Sequence, residues 1–495
     1  MVKGVVGEEE RLSLAEQRLS TSGEPAEVGL LIGKLSRESD RGYIFDLAPT
    51  PSNETGQRTC FLVNKDDSNN KKKKNTNPSN SSPSSSLVID MDWVAEHARE
   101  VSRMMVGGIT VVGVYLWAPE AAFKNSTLLL SQTVKGVADA APRPKNGSDE
   151  MLLLHISYSP RRWTCRSCSL SSNITSSSLR PCDFKMGRVL NSLQAFRCIY
   201  KLDMRLPVFS EDFSGTRTVN DILRDTISIH AKELKDAIAM VDGDLVTVTE
   251  DLPCTSDKLH EVELLVPFMK HGSLEASNRK EVVGVLVFCG TVCSYSYLSP
   301  KEPVSQVVAD IKEDITRSLR TRLDIIAEEA EREMPAACRD ESETNSEMPD
   351  GKSVYQMILK PLRKEIVLPF PRRVFIPWLT GSFVCDYLLP SETFEAVRDH
   401  FVELLSIDTP TDDSFMEPEK ELPNLTARSF WDATTPLYRA SDDAVNKRKS
   451  RVEAVKGDAN NSVTSGNIKG IFAAFILLIA VIIGSLLFAR NSSEL

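Results

Sequence analysis

Residues Asp92–Pro119 read DWVAEHAREVSRMMVGGITVVGVYLWAP, a helix pattern followed directly by a strand pattern. Val94, His97/Ala98, Val101 and Met104/Met105 recur at helical spacing behind Asp92 as N-cap. Gly107 and Gly108 end that helix. Ile109–Pro119 then carries the β-branched and aromatic residues that favour strands. His97 lies on the apolar stripe, where a hydrogen-bonded core histidine is the expected reading. Upstream, VGLLIG (Val28–Gly33) predicts a buried strand, and GYIFDLAP (Gly42–Pro49) its hairpin partner across the polar turn SRESDR. Downstream, Leu128–Val137 predicts a helix, MLLLHISYS (Met151–Ser159) a strand, RRWTCRSCSL its hairpin partner, and CIYKLDMRL (Cys198–Leu206) one more strand.

This mixture of helices and strands places the chain in the α/β (α+β) class. The first unit spans residues 25–207, behind a polar stretch at 1–24 expected to be disordered. Residues 65–86 (KDDSNNKKKKNTNPSNSSPSSS) interrupt it as a low-complexity insertion with too few apolar residues to bury a core. A second α/β unit covers 210–333. In it Thr218–Asp242 carries Val219, Ile222, Leu223, Ile227, Ile229, Leu234 and Ile238 at helical spacing. LVTVT, EVELLVPF and EVVGVLVFCGTVCSYSYL follow as strands. Val304, Val308, Ile311, Ile315, Leu319, Leu323 and Ile326 trace one face of a helix from Pro303 to Glu333, expected to pack on its own sheet. Residues 334–352 are an acidic linker, and 353–406 a strand–helix unit (PRRVFIPWL, Phe383–Leu389, then helix Ser391–Leu405) packed on the second unit. A polar tether, 407–468, follows.

The tether leads to IFAAFILLIAVIIGSLLFA, Ile471–Ala489, nineteen uncharged residues bracketed by Lys469 and Arg490. At 1.5 Å per residue such a helix is about 28 Å long, close to the roughly 30 Å hydrocarbon core of a bilayer. Ile471, Phe475, Leu478, Ile482, Leu486 and Ala489 are thereby expected to lie in lipid as a transmembrane tail anchor. The first residues, MVKGVVGEEERLSL, lack the basic-then-apolar order of a signal peptide. Lys447, Arg448, Lys449, Arg451 and Lys456 precede the span, so the positive-inside bias puts the bulk of the chain in the cytosol. The strongly apolar span favours the endoplasmic reticulum membrane over the mitochondrial outer membrane.

The net charge of −10 argues against a nucleic-acid-binding surface, which needs clustered Lys and Arg. The ten cysteines have no disulfide rhythm, and a cytosolic location keeps thiols reduced. Cys165 and Cys168 form one C-x-x-C, yet no second close pair completes a zinc site, and no helix pattern follows for thioredoxin-like use. Phosphate-loop, dinucleotide, H-E-x-x-H and G-x-S-x-G patterns are missing from the chain.

Strand VGLLIG, helix VAEHAREVSRMM and strand VVGVYLWAP resemble the opening of the MPN/JAMM fold. Metalloproteases of that fold read roughly E-V-x-G-L-L-L-G, then V-G-W-Y-H-x-H-P and, further on, S-x-x-D. Aligned on Gly113, Tyr115 and Pro119, the two zinc-binding histidines fall at Leu116 and Ala118, and the serine at Ser126. The aspartate ligand falls at Leu129 and the general base at Ala26; Glu27 is one place off and points to the other strand face. A zinc hydrolase needs three ligands and a base to activate water. The resemblance therefore implies a degenerate MPN-like domain, a pseudoenzyme with no catalytic residue, metal or cofactor, kept for binding.

GLLIG, the Asp92–Pro119 block and PRRVFIPWL ahead of a C-terminal anchor also resemble the odorant-response-abnormal (odr-four) family of tail-anchored eukaryotic proteins, from about Glu27 to Ala489. That resemblance implies an adaptor of the endoplasmic reticulum that aids maturation, trafficking or localisation of membrane-protein clients such as multi-spanning receptors. It also implies recruitment of an MPN-like partner such as the ubiquitin-fold-modifier protease. Val114, Tyr115, Leu116 and Trp117 are the expected partner face. The alternative is a membrane-anchored isopeptidase with non-standard active-site residues. A fusion protein of the SNARE type is excluded, because Ile407–Gly466 lacks heptads next to the anchor.

Overall fold

The computed structural model describes residues 2–35, 40–53, 55–64, 85–141, 149–170, 178–209, 219–246, 259–267, 282–299, 302–332, 354–359, 365–367, 370–390, 392–407, 416–420 and 434–439. Its first layer is a closed barrel. Strands β1 (Gly4–Glu8), β2 (Glu27–Leu35), β3 (Arg41–Pro49), β6 (Thr110–Trp117), β7 (Glu150–Tyr158), β8 (Arg161–Ser169) and β9 (Leu179–Gly187) form it in the order β1-β3-β2-β6-β7-β8-β9. The short hairpin β4 (Cys60–Asn64) and β5 (Ser85–Ile89) lies outside that order. The expected hairpins β2–β3 and β7–β8 are present. The insertion at 65–84 is outside the described residues.

Residues 2–24 are ordered, where disorder was expected of residues 1–24. Strand β1 pairs in parallel with both β3 and β9 and thereby closes the barrel. Helix α1 (Glu9–Thr21) sends Leu12 and Leu19 into a cluster with Val2, Val5, Leu31, Ile44, Tyr115, Leu152, Leu154 and Cys165. Two apolar residues a heptad apart give α1 a thin buried stripe inside an otherwise charged sequence, so average polarity concealed it. The opposite sheet face is covered by α2 (Met91–Met104) and, after the short α3 (Glu120–Asn125), by α4 (Thr127–Ala140), through Val94, Ala98, Val101, Leu130, Val134 and Val137. Asp90, not Asp92, caps α2, accepting from the Trp93 N–H at 3.2 Å. Gly107 and Gly108 fall beyond the helix end, at φ +73° and +78°. The Tyr297 ring covers Gly107 so closely that a Cβ there would lie 2.1 Å from it, which only glycine avoids.

Cys198–Leu206 does not belong to the first unit, where it was expected. It lies in β10 (Gln194–Phe209), which pairs antiparallel with β14 (Val282–Leu298) along its whole length. These strands centre a six-stranded sheet, β12-β11-β13-β10-β14-β16, with β11 (Ile238–Val241), β12 (Asp244–Leu245), β13 (Leu259–Leu265) and β16 (Glu365–Val367), while β15 (Val354–Leu359) lies outside it. Helices α5 (Val219–Lys235) and α6 (Val304–Arg332) cover one face. Leu223, Ile227, Val307, Ile311, Ile315, Leu319, Leu323 and Ile326 pack there on Phe196, Cys198, Leu202 and Phe288. The long amphipathic helix thus sits on its own sheet as expected. Ile238 does not belong to the α5 stripe: it starts β11 and is exposed, because the helix ends at Lys235.

The strand–helix unit contains β17 (Arg372–Pro377), β18 (Phe383–Leu388) and α7 (Phe394–Leu405). It does not rest on the second unit alone. Val374, Ile376, Val384, Leu388, Val397 and Phe401 join the same apolar cluster as α2 and β6. The start of the expected tether is also ordered. Strand β19 (Glu417–Pro418) pairs with β17, and Glu419 is buried; a further strand forms at Thr434–Arg439. The acidic linker at 334–352 is outside the described residues, as is most of the tether. Residues Met1–Asn345 and Gln356–Leu437 consequently form one compact unit where separate units were expected.

Buried charges stitch this unit together. Arg373 and Asp314, each with a side chain 1% exposed, pair at 2.7 and 3.1 Å, joining β17 to α6. Ser294 and Arg317 complete the carboxylate's shell at 2.8 and 3.1 Å. Burial works against the Asp314 charge, yet Arg373 holds its pKa below the usual value. Arg322 bonds Glu419 at 2.6 Å, and Glu419 also accepts from the backbone N–H groups of Cys293 and Arg373. On the barrel side, Lys34 reaches the Tyr297 carbonyl at 3.0 Å, Glu302 at 3.2 Å and Asp310 at 3.3 Å.

Removing one member of the central pair leaves a buried charge unmatched. Asp314→Ala is expected to cost about 3–5 kcal/mol in urea unfolding, whereas Asp314→Leu with Arg373→Met recovers most of it. A loss of only about 1 kcal/mol, the size of an exposed ion pair, would show that this contact does not hold the seam.

Candidate functional site

Strand registers decide which residues meet where the MPN comparison puts its chemistry. In the antiparallel β2–β6 ladder Val28 faces Leu116 and Glu27 faces Trp117, which carries Ala26 toward Ala118. In the parallel β6–β7 ladder Leu116 faces His155. Ala26, Leu116 and Ala118 are buried in one cluster with Val28, Phe123 and Leu130, and Leu129 packs against it. The β2–β6 register thus sets Ala26 near Leu116 and Ala118, and all four positions read from sequence lie in or against one apolar cluster. The hydroxyl of Ser126 accepts from the Leu87 N–H at 2.8 Å and helps hold β5.

Glu27 points to the other face, as alternation requires. Its carboxylate takes both terminal nitrogens of Arg18 from α1, at 2.9 and 2.6 Å, and the Tyr115 hydroxyl at 2.6 Å. Burial and the neighbouring Glu27 charge both push the Tyr115 phenol well up, so it remains the donor.

One polar group, His155, sits beside these apolar residues, with a setting that the sequence does not give. His155 is buried; its Nε2–H donates to the Ala118 carbonyl at 2.9 Å, and its ring stacks on Phe123 at 4.2 Å. The other nitrogen, Nδ1, lies 3.8 Å from Glu120, and among the described residues neither it nor the Ser157 hydroxyl makes a hydrogen bond. Arg166 covers the Phe123 ring at 5.0 Å. Burial lowers the His155 pKa, so the ring is neutral near pH 7. A histidine in the apolar run MLLLHIS was the available signal, but its partner depends on strand register. Among the described residues no group of three or more His, Cys, Asp or Glu is placed to hold a metal ion. One imidazole and one carboxylate fall short of the three ligands of a catalytic zinc.

The expected partner face is corrected. Val114, Tyr115 and Leu116 are fully buried and Trp117 is 5% exposed. The ordered α1 accounts for half of this, since Tyr115 and Trp117 share the cluster of Leu12 and Leu19. The Trp117 indole also donates to the Glu24 carbonyl at 3.1 Å. Val114 and Leu116 face α2 and α4. An open cleft of about 660 Å³ instead lies between β10, β14 and the start of α7, with Phe370 and Phe394 beside Arg322, Arg372, Arg398 and Glu395.

His97 is the satisfied core histidine that its position implied. Its Nε2–H donates to the Leu404 carbonyl at 2.8 Å, tying α2 to the end of α7, and Nδ1 accepts from Thr50 at 3.2 Å. Cys165 and Cys168 are three places apart on β8 and fall in clusters on opposite faces, so neither zinc nor a disulfide joins them. The expected anchor residues Ile471–Ala489 are outside the described residues. Among the described residues no helix is long and apolar enough to cross a membrane.

Comparison with known proteins adds an independent line. The family profile described as "Odorant response abnormal 4-like" matches residues 29–416. The chain is 24% identical over 480 residues to the "Protein odr-4 homolog" of Mus musculus, covering 92% of this chain and 95% of that protein. With the homolog of Xenopus laevis it shares 23% over 480 residues, and with that of Dictyostelium discoideum 24% over 412, covering 92% and 81% of this chain and 93% and 79% of those proteins. Among solved structures, the crystal structure of UfSP from C. elegans aligns at TM-score 0.36 and 8% identity, over 82% of this chain and 57% of that one.

The buried imidazole of His97 gives a pH signature. Burial lowers its pKa from 6.5 to about 4. Between those values the unfolded chain binds a proton that the folded chain refuses. His97 therefore contributes stability in full above about pH 6.5, and loses it as the pH falls toward 4, by up to about 3 kcal/mol. Urea midpoints compared at about pH 7.5 and pH 5 should fall less in His97→Gln than in the wild type. Equal falls would assign the acid sensitivity to other groups.

Proposed function

The chain belongs to the odorant-response-abnormal-4-like family, and on that premise we propose that it is a membrane-anchored adaptor without catalytic activity. The family is named for odorant response, which supports a role in supplying or localising membrane receptors. In this reading the barrel is a degenerate MPN-like domain. What supports this reading is that Ala26, Leu116, Ala118 and Leu129, the positions at which the sequence resemblance puts base and ligands, are all apolar and share one buried cluster or pack against it. The anchor is the span Ile471–Ala489 in the endoplasmic reticulum membrane, with the folded unit in the cytosol.

The clients are membrane proteins such as multi-spanning receptors, and the partner is an MPN-like protein such as the ubiquitin-fold-modifier protease. With Val114–Trp117 buried inside the chain, the partner contact falls elsewhere. We assign it to the cleft at the start of α7, whose aromatic walls and guanidinium groups suit an inserted side chain of either acidic or apolar character.

The test uses the full-length chain in its own membranes. Alkaline carbonate should leave it in the pellet, and deletion of residues 471–489 should release it; extraction of the intact chain would end the anchor reading. Capture of the detergent-solubilised chain should recover the modifier protease without stoichiometric zinc on this chain. Arg398→Glu should reduce that recovery several-fold while the urea midpoint holds. One bound zinc per chain, with isopeptidase activity, would replace the adaptor reading by an enzymatic one.

A further inference from the structure

Cys165 and Cys182 stand directly opposite each other in the antiparallel β8–β9 ladder. Residues opposed in this way have Cα atoms about 4.5–5.5 Å apart, inside the roughly 4.4–6.8 Å window of disulfides. Their side chains meet on one face. Cys165 is buried in the barrel cluster, Cys182 packs against that cluster half-buried, and the two thiols hydrogen-bond to each other. Cys182 Sγ also lies 3.6 Å from the Val2 carbonyl, beside the β1–β9 pairing that closes the barrel. Among the described cysteines no other two are opposed in a strand pairing. Cys60 faces Ile89, Cys168 faces Met151 and Leu179, Cys198 faces Ser294, Cys289 faces Asp203, Cys293 faces Ile199 and Cys385 faces Phe375.

We propose that Cys165 and Cys182 are a thiol pair that a peroxide oxidises to a reversible cross-strand disulfide, locking the β8–β9 seam of the barrel. The geometry assigns distinct roles. Cys182 is the more accessible sulfur, and the Cys165 S–H pointed at it favours the Cys182 thiolate, against the carboxylates of Asp183 and Glu150. The thiolate attacks one peroxide oxygen, the O–O bond breaks and hydroxide leaves, giving the sulfenic acid. The Cys165 sulfur then attacks the Cys182 sulfur and water leaves. In sum two thiols and one hydrogen peroxide give one disulfide and two waters, the sulfurs supplying both electrons. A dithiol reductant reverses it by exchange. This ladder belongs to the barrel itself, so the inference does not rest on the adaptor reading.

Peptide mapping of the full-length chain tests it. Reduced protein is titrated with hydrogen peroxide, remaining thiols are blocked with a maleimide, and the digest is read without reduction. Trypsin leaves Cys165 in Trp163–Arg166. Because it does not cut before Pro181, Cys168 and Cys182 share the next peptide. The expected product is these two peptides joined, lighter by two hydrogens and separated again by dithiothreitol. Cys168→Ser should leave the link intact, and Cys182→Ser should abolish it while Cys198 and Cys293 label as before. A link that disappears in Cys168→Ser, or Cys182 carried to sulfinic acid with Cys165 still a free thiol, would overturn the proposal.

Discussion

A guanidinium–carboxylate pair sealed from water constrains everything around it. Arg373 and Asp314 come from a β-strand and a helix that the chain reaches about sixty residues apart, and neither can be left alone in the interior. Their shell recruits Ser294 from β14, Arg317 from α6 and the Tyr387 hydroxyl from β18. Glu419, from the stretch expected to be a free tether, neutralises Arg322 beside them. The seam therefore fixes where the β17–β18 hairpin sits, and with it the face that α7 offers to α2. Lys34 with Glu302 and Asp310 serves the same end on the barrel side. A hydrophobic contact tolerates sliding; a bidentate buried pair does not.

The sequence was legible where a single element announces itself by period. Helices α2, α4 and α6 and the hairpins β2–β3 and β7–β8 follow from apolar spacing, because packing on one neighbour dictates one face. It was not legible where assignment depends on a partner far along the chain. CIYKLDMRL is plainly a strand, but only β14 says which sheet owns it. Helix α1 hides its two leucines among charges, and its burial depends on a barrel that also needs β1. Ile238 fits a helical phase by coincidence and belongs to the strand after the turn.

The same distinction governs the candidate site. That Leu116 and Ala118 are apolar where the resemblance expects metal ligands was readable from spacing, and the β2–β6 register sets Val28 opposite Leu116, beside Ala26. That Val114–Trp117 would be covered was not, since the charged sequence of the covering helix α1 predicts disorder. His155 shows the limit from the other side. Its neighbour in space is Ala118, thirty-seven residues away, and no local pattern joins them. The C-x-x-C, set aside as a zinc or redox motif, left the true neighbour unseen: parity on a strand separates Cys165 from Cys168 and delivers Cys165 to Cys182.

The proposed loss of chemistry also has a packing consequence that makes it hard to reverse. In an active metal site the ligands are polar and partly open to substrate, and their stability depends on the metal. Here Leu116 and Ala118 are fully buried and join the cluster that seats α2 and α4 on the barrel. A histidine at either place would have to bury a ring nitrogen in apolar surroundings where the carbonyl of Ala118 is already bonded to His155. The apolar residues are part of what holds the barrel wall. On the adaptor reading proposed above, a stable scaffold and hydrolysis ask opposite things of these two positions: apolar side chains packed under α2 and α4, or polar ligands open to substrate.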